Sequence, residues 1–430
     1  MSIRHFLSVT SLAVLVWGLP AAAQTAPAQS LPFQAPVGQP TLSLTQALQA
    51  AQDNLDVSLA RRAVDAARSD ITAADRAPTP TLSAKAASID LQNGIGSGNL
   101  VRDKRIDKGI GLDWTLERGN KRLLRTQAAQ SLANAAQADV DEVKIQQQIA
   151  TSAAYFDVLA AQERIVEVDA IAKSAAQLAA TAQRRVKAGD LPALDAARTE
   201  IEAQRAATDL ASAQLDRQRA ALALVLLLGA SNASTLRVAA DWPALQGMPQ
   251  DAALPSVEAR ADVRAALQRV DAARAALDSV AAQKTRDLTL GTSFDHYPGT
   301  STRLLEFRVQ MPLNGFLGSY NFQGEIAKAQ AQLNQAEDTL EKTRRSATAD
   351  VQRLQQDRMG AAARALSYEG VILPRARKVA ELAELAYSKG AMSLTELIDA
   401  RRTLRSILIE ALSARADHAK AAQAWTLRQP

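Results

Sequence analysis

Two carboxylates in the last quarter of the chain have a spacing that could support ion recognition. Glu396 and Asp399 follow Gly390 and lie three residues apart, so they share one face of a predicted helix. Carboxylates placed in this way can attract passing cations. They can equally stabilise the start of the helix, an effect worth about 0.3–1 kcal/mol. The spacing alone leaves both roles open.

The sequence contains no catalytic or cofactor-binding motif. It has no cysteine, and His296 and His418 lack any metal-ligand spacing. The glycines at 94, 96 and 98 are not followed by the Lys-Ser/Thr pair of a phosphate-binding loop. We therefore predict that the chain is not an enzyme and that it holds neither a metal nor a cofactor.

The composition favours long helices over compact domains. Hydrophobic residues make up 47% of the chain but aromatic residues only 4%, and many of the hydrophobic residues are alanines that let helices approach closely. The charges are nearly balanced, with 50 Lys+Arg against 45 Asp+Glu. This balance gives no reason to expect a nucleic-acid partner.

The first residues have the order of a secretory signal. Arg4 precedes an apolar run over 6–19, and the small residues Ala21 to Ala23 follow. The run is shorter than the roughly 20 residues that a membrane-spanning helix needs. We predict a signal peptide over 1–23, followed by an N-terminal extension over 24–40.

The remaining sequence divides into two copies of one unit. Each copy has a long helical pattern, a glycine at 189 or 390, a short turn and a second helical pattern. The repeats are predicted over 41–230 and 257–427, with a connector over 231–256. The long helices, over 118–187 and 321–389, would each extend roughly 100 Å at 1.5 Å per residue. Pro374 is expected to kink the second of them.

A pair of alternating stretches precedes each long helix. Strands are predicted near 80–92 and 106–117 in the first repeat and near 286–296 and 303–313 in the second. Alternation of this kind fits a strand with lipid on one side and water on the other, but a soluble half-buried strand shows the same pattern. Four strands cannot close around a lumen, so a membrane barrel would need several copies of the chain.

Several segments carry a resemblance to a known family. They are the opening residues 41–67, LERGNKR at 116–122, MPL at 311–313, GEIAKAQAQLNQAE at 324–337 and YSKGAMSLTELIDARRTL at 387–404. On these segments the sequence resembles the TolC family of outer-membrane efflux proteins over nearly all of residues 41–427. Within the family it is most similar to the CzcC-like branch, which serves heavy-metal cation efflux.

The resemblance implies a fold, a location and a set of partners. The fold would be mainly α with a membrane β-barrel contribution: a homotrimer in which four strands per chain close a barrel above a long α-helical tunnel in the periplasm. The protein would lie in the cell outer membrane, in contact with its lipid. It would bind a periplasmic adaptor protein and work with an inner-membrane RND pump to export divalent heavy-metal cations.

The resemblance also implies roles for residues at the two helical turns. Residues at the turns would contact the adaptor: Gly189, Asp190, Leu191, Gly390, Ser393 and Leu394. Tyr387 would be linked to Asp195 when the tunnel is closed, and Glu396 and Asp399 would form acidic rings around the pore. Met392 occupies the position of a family arginine, so one closing link should be absent. We therefore expect a looser closed state or a different lock.

Three other functions remain open from the sequence. The same channel could export drugs or other organic solutes instead of metals. An exported coiled-coil structural protein would explain the alanine-rich helices but not the duplicated strand pairs. A periplasmic enzyme would lack any recognisable catalytic group.

Overall fold

The computed structural model describes residues 41–87, 92, 97–98, 106–229, 236–245, 255–297, 301–314 and 320–429. The predicted signal peptide over 1–23 and the extension over 24–40 lie outside these residues. Parts of the predicted connector and of the first strand pair also lie outside them.

The described chain contains two successive units, each with a strand pair followed by a long helix, a turn and another helix. In chain order the elements are α1 (Leu44–Ala51), α2 (Leu55–Ala74), β1 (Thr81–Ala87), β2 (Asp107–Leu116), α3 (Lys121–Lys187), α4 (Ala193–Leu228), α5 (Ala261–Ala281), β3 (Leu288–Tyr297), β4 (Ser301–Gln310), α6 (Gln323–Ser367), α7 (Leu373–Ser388) and α8 (Leu394–Arg428). Short 3-10 turns flank α5 at Val257–Ala259 and Ala282–Lys284. This order confirms the predicted repeat of strand, strand, helix, turn and helix.

The second long helix differs from the expectation. We predicted one helix over 321–389 with a kink at Pro374, whereas a π-helical turn, Tyr368–Ile372, separates α6 from α7. Pro374 lies in the first turn of α7 and has no backbone N–H to donate to the preceding turn. A π turn at this point changes the hydrogen-bond register where that donor is missing.

Several element ends also differ from their predicted positions. The helix α3 begins at Lys121 instead of 118, because Gly119 and Asn120 both have positive φ and end the extended strand before the helix starts. Likewise β4 ends at Gln310 instead of 313, because Pro312 cannot donate a ladder hydrogen bond.

The largest core lies where α3 passes α4 and the opening residues of the chain. Tyr155 and Phe156 on α3 are buried there with Leu224 of α4. The Tyr155 hydroxyl donates to the Ala239 carbonyl at 2.8 Å, and the Phe156 ring stacks on Trp242. Residues 236–245 of the predicted connector are therefore a packed part of the core.

Most other buried positions along the helices are alanines, in keeping with thin helices that approach closely. In the part of the chain that the structure describes, no helix is both long and apolar enough to cross a bilayer.

The four strands form one antiparallel sheet in the order β1-β2-β3-β4. One face of the sheet is apolar and exposed, with Leu112 on β2, Phe294 on β3 and Phe307 on β4. Both β1 and β4 are edge strands among the described residues, so each has a row of backbone groups that no other described strand pairs.

A buried ion pair joins the sheet to the first long helix. The Asp287 carboxylate, just before β3, accepts hydrogen bonds from the Arg118 backbone N–H at 2.9 Å and from Lys121 Nζ at 2.8 Å. Lys121 is only 3% exposed. Two further pairs support this junction, since Arg125 binds both oxygens of Glu117 and Arg122 binds both oxygens of Asp75. The LERGNKR segment is thus an ionic joint between strand and helix.

Removing the Asp287 charge should destabilise this joint strongly. Asp287→Asn leaves the Lys121 ammonium buried without a counter-charge, a loss typically worth about 3–5 kcal/mol. We expect a lower temperature for the loss of helical circular dichroism in detergent-solubilised protein. The double variant Lys121→Met with Asp287→Asn should recover most of the loss, because it removes both charges. The exposed Asp338→Asn on α6 is the control, and equal melting of Asp287→Asn and this control would contradict the assignment.

Candidate functional site

The two helical turns at the far end of the molecule have the same geometry. After α3, the Gly189 N–H donates to Val186 O at 3.0 Å and the Asp190 N–H donates to Arg185 O at 2.8 Å. After α7, Gly390 and Ala391 make the corresponding bonds to Tyr387 and Ala386. Both glycines have positive φ, 84° and 73°, which is the usual way to end a helix in a Schellman motif.

The residues that follow each turn begin the next helix in different ways. Ser393 is the N-cap of α8, and its hydroxyl and backbone N–H exchange hydrogen bonds with Glu396 in a capping box. The α4 helix starts at Pro192 without a side-chain cap. Leu394 is buried, Leu191 is half-buried, and Asp190 and Ser393 are exposed. The turns therefore present a polar surface on two rigidly terminated helix pairs.

The structure does not join the four candidate gating residues to one another within a single chain. Asp195 lies 3.8 Å from Arg198 on its own helix, and the described residues include no hydrogen bond from Tyr387 to Asp195. The predicted link between those two residues therefore stays a prediction about the assembled protein.

The two acids after the second turn have different environments. The Ser393 backbone N–H and hydroxyl hydrogen-bond to Glu396 and lower the pKa of its carboxyl, so this side chain is ionised at neutral pH. Its capping role matches the structural alternative that the sequence left open. Asp399 is exposed, and its carboxylate lies 3.7 Å from Arg402.

A row of polar contacts connects α4 to α8 beyond the turns. We call it the ionic seam, and it consists of Arg198 with Thr395, Glu202 with Arg402, and Asp209 with Arg405. The Arg402 guanidinium binds both oxygens of Glu202 and lowers the pKa of that carboxyl. The seam lies about 20 Å of helix beyond the glycines, since Glu202 comes 13 residues after Gly189.

The contacts of the ionic seam are not predicted by the sequence. The two acids of the seam could be recognised as a pattern, because Glu202 and Asp209 lie seven residues apart on one helix. Their partners lie about 200 residues away in the second repeat, for example Arg402 opposite Glu202. Such partners are found only once the packing of the two repeats is known.

A cavity of about 290 Å³ lies between α3, α4, α7 and α8 beside the ionic seam. Its apolar wall includes Leu178, Ile398 and Leu408. The arginines at its edge already have partners, because Arg402 binds Glu202 and Arg401 binds Glu384 at 2.9 Å. Its charged groups are thus mostly engaged with each other.

The helical layer has two open sides. The α3 helix packs against α4 and α8, and α8 packs against α7, so α4 and α7 lie at the two ends of this layer. Both end helices expose apolar side chains. On α4 they recur every seven residues at Leu194, Ile201, Leu215 and Leu222, with Thr208 completing the series, and on α7 they are Val379, Leu382 and Leu385. Exposed apolar stripes of this length indicate a protein interface.

A resident metal site does not emerge from the described residues. Among them, no group of three or more His, Asp or Glu side chains lies close enough to hold a metal ion. His296 is on β3, and His418 is buried on α8, where burial lowers the pKa of its imidazole.

Comparison with known proteins agrees with this architecture. Residues 47–230 match the family described as "Outer membrane efflux protein". The chain is 27% identical over 370 residues to the cobalt-zinc-cadmium resistance protein CzcC of Cupriavidus metallidurans, and the match covers 84% of each protein. Among solved structures, it is similar to the outer membrane protein VceC of Vibrio cholerae, with a TM-score of 0.72, 17% identity and coverage of 89% of this chain and 94% of that one. It is also similar to CusC, with a TM-score of 0.65, 19% identity and coverage of 89% and 91%.

The fold, with its long helices and four-stranded sheet, is that of the solved outer-membrane proteins to which the chain is similar. Residues 47–230 are similar to the outer membrane efflux protein family, and CzcC is a relative at 27% identity. The chain's location is the cell outer membrane, with the helices in the periplasm. These findings confirm the predicted fold class, family resemblance and location. The matched family is one of transport proteins.

Weakening the ionic seam should make the channel open more readily. Glu202→Gln removes the charge that holds Arg402, and we expect purified protein in planar bilayers to conduct for a larger fraction of time, because about 1 kcal/mol of closing interaction is lost. The pKa of Glu202 lies below its ordinary 4.5 in the folded chain, so the interaction is complete above pH 4.5 and is lost as the pH falls through the folded pKa. Wild-type protein should thus approach the variant at low pH.

The control for this experiment is Glu341→Gln, which breaks an exposed pair within α6. It should leave the open fraction unchanged at every pH. An open fraction for Glu202→Gln that equals the control at neutral pH would rule out a closing role for the seam.

Proposed function

We propose that this protein is the outer-membrane channel of a tripartite, RND-type efflux system and that it exports divalent heavy-metal cations. The observation that carries the choice of cargo is the 27% identity to CzcC, a protein whose name gives resistance to cobalt, zinc and cadmium. The similarity extends over 84% of both chains. The chain would conduct ions and perform no enzymatic reaction.

The assembly that we propose is a homotrimer. Its support is the match between two sets of open edges: β1 and β4 at the two sides of the sheet, and α4 and α7 at the two sides of the helical layer. A contact between one side of a chain and the other side of its neighbour is heterologous and closes into a ring. Three copies would bring twelve strands together, four from each chain.

We place the adaptor at the two helical turns. Gly189, Asp190 and Leu191 form the first contact surface, and Gly390 and Ser393 form the second, with Leu394 buried beneath it in the single chain. Two features support this placement: the turns are terminated by specific backbone hydrogen bonds, and they expose polar groups that the chain itself leaves uncovered. A preorganised surface of this kind loses little entropy on binding.

The proposed cation path passes the acids that follow the turns. Glu396 stays ionised because Ser393 donates hydrogen bonds to it, and Asp399 is exposed on the same helix face. In three copies these side chains would place negative charge around the pore axis and raise the local cation concentration. Asp195 and Tyr387, one on each helix pair, are proposed to link the pairs when the tunnel closes.

The proposal is tested by growth of a deletion strain on zinc, cobalt, cadmium, nickel and copper, beside a panel of lipophilic drugs. We expect hypersensitivity to divalent metals alone, restored by the wild-type gene but not by an empty vector. Sensitivity to the drugs with normal metal tolerance would keep the efflux channel and overturn the metal cargo. Unchanged growth in both panels would contradict the efflux role.

A further inference from the structure

We infer that two charged bridges on the polar face of the sheet, Arg308 with Asp113 and Lys85 with Asp295, set the charge selectivity of the channel where it crosses the membrane. The inference rests on the proposed function, because it requires this face of the sheet to line a lumen. It concerns the membrane segment, so it is independent of the acids near the helical turns.

The two faces of the sheet are chemically opposite. Side chains on one face include Leu112, Phe294 and Phe307, which are exposed and apolar and suit contact with lipid. The other face carries the two bridges together with Ser83, Ser293 and Glu306. Since lipid covers the apolar face, the polar face is the one that water and ions would reach.

Each bridge depends on a glycine directly opposite an aspartate. Gly109 on β2 pairs with Asp295 on β3, and four residues further along the same ladder Asp113 on β2 pairs with Gly291 on β3. A Cβ atom at Gly109 would come within 2.0 Å of Asp295 Oδ1, and one at Gly291 within 2.4 Å of Asp113 Oδ1. The carboxylates therefore lie flat across the neighbouring strand, in space that any other residue would fill.

Lying across a glycine lets each carboxylate reach a cation two strands away. Arg308 Nη2 on β4 contacts Asp113 Oδ1 at 2.6 Å, and Lys85 Nζ on β1 lies 3.7 Å from Asp295 Oδ1. Ser293 also donates to Asp295 at 2.6 Å, and Asp295 is only 2% exposed. The two bridges thus have the same construction, repeated in opposite directions across the antiparallel β2–β3 pair.

The polar face carries a surplus of negative charge. Within the four strands its charged residues are the carboxylates Asp107, Asp113, Asp295 and Glu306 and the cations Lys85 and Arg308. Four carboxylates less two cations leave a fixed charge of −2 on the four described strands of each chain. Fixed negative charge on a pore wall favours cations. The cations of the two bridges reduce the net negative charge of this face, because each is paired with one carboxylate.

Neutralising the cation and neutralising the carboxylate of one bridge should shift the ion selectivity in opposite directions. Arg308→Gln changes the charge of the polar face from −2 to −3, and Asp113→Asn changes it from −2 to −1. If cation excess follows fixed charge, the cation-to-anion permeability ratio should rise about 1.5-fold in the first variant and fall about twofold in the second. The double variant restores −2 and should return the ratio to the wild-type value.

The experiment is the reversal potential of purified wild-type and variant protein in planar bilayers under a potassium chloride gradient. It is run near 0.01 M, where the screening length is about 30 Å, and again near 1 M, where it is about 3 Å and the shifts should shrink. Arg303→Gln is the matched control, because it removes the same charge from the apolar face of the same strand β4. It should leave the ratio unchanged.

The outcomes separate this inference from the channel itself. Opposite shifts in the two single variants, cancelled in the double variant, support it, because loss of a purely structural bridge would affect both variants in the same direction. Normal conductance with an unchanged permeability ratio, or with a change equal to that of Arg303→Gln, would overturn the inference. The proposed channel function would then be unaffected. Wild-type protein that does not conduct would overturn the channel, and the selectivity assignment with it.

Discussion

The rest of this structure depends on one constraint: the backbone groups at the two edges of the sheet must find partners. Within the described part of one chain, no strand pairs the outer N–H and C=O groups of β1 and β4, and each unpaired group costs several kcal/mol in lipid. The sheet also exposes an apolar face and a charged face, which only a lipid-facing wall around water can satisfy together. The open ends of the helical layer, at α4 and α7, carry apolar stripes that require a partner for the same reason.

Several local structural features occur once in each of the two repeats. Both tip turns use a glycine in the left-handed region with the same pair of hydrogen bonds. Both long helices begin after a non-glycine residue with positive φ, Asn120 and Phe322. The repeats differ where the first joins sheet to helix through Asp287 and Lys121, and where the second inserts a π turn before Pro374.

The sequence predicted the elements and their order because periodicity and glycine placement are local properties. Alternation located the strands, and Gly189 and Gly390 located the turns to the residue. The ionic seam could not be predicted, because Glu202 and Arg402 become neighbours only when the repeats pack. The packing of residues 236–245 on Tyr155 was missed for the same reason. Glu396 was placed correctly on its helix, but its capping bonds to Ser393 needed the structure.

The most direct test of the account asks whether β1 of one chain lies beside β4 of another in the outer membrane. The strands of a closed barrel are staggered, so the test scans several positions on the apolar faces of both strands, and the natural chain has no cysteine to interfere. Each double variant combines a cysteine at Leu82, Ala84 or Ala86 of β1 with one at Leu305, Phe307 or Val309 of β4. At least one double variant should give covalently linked dimers and trimers on oxidation or with a short bismaleimide, and each single variant should give at most a weak dimer. A full set of double variants that stays monomeric, although folded and inserted, would contradict the closed ring on which the channel depends.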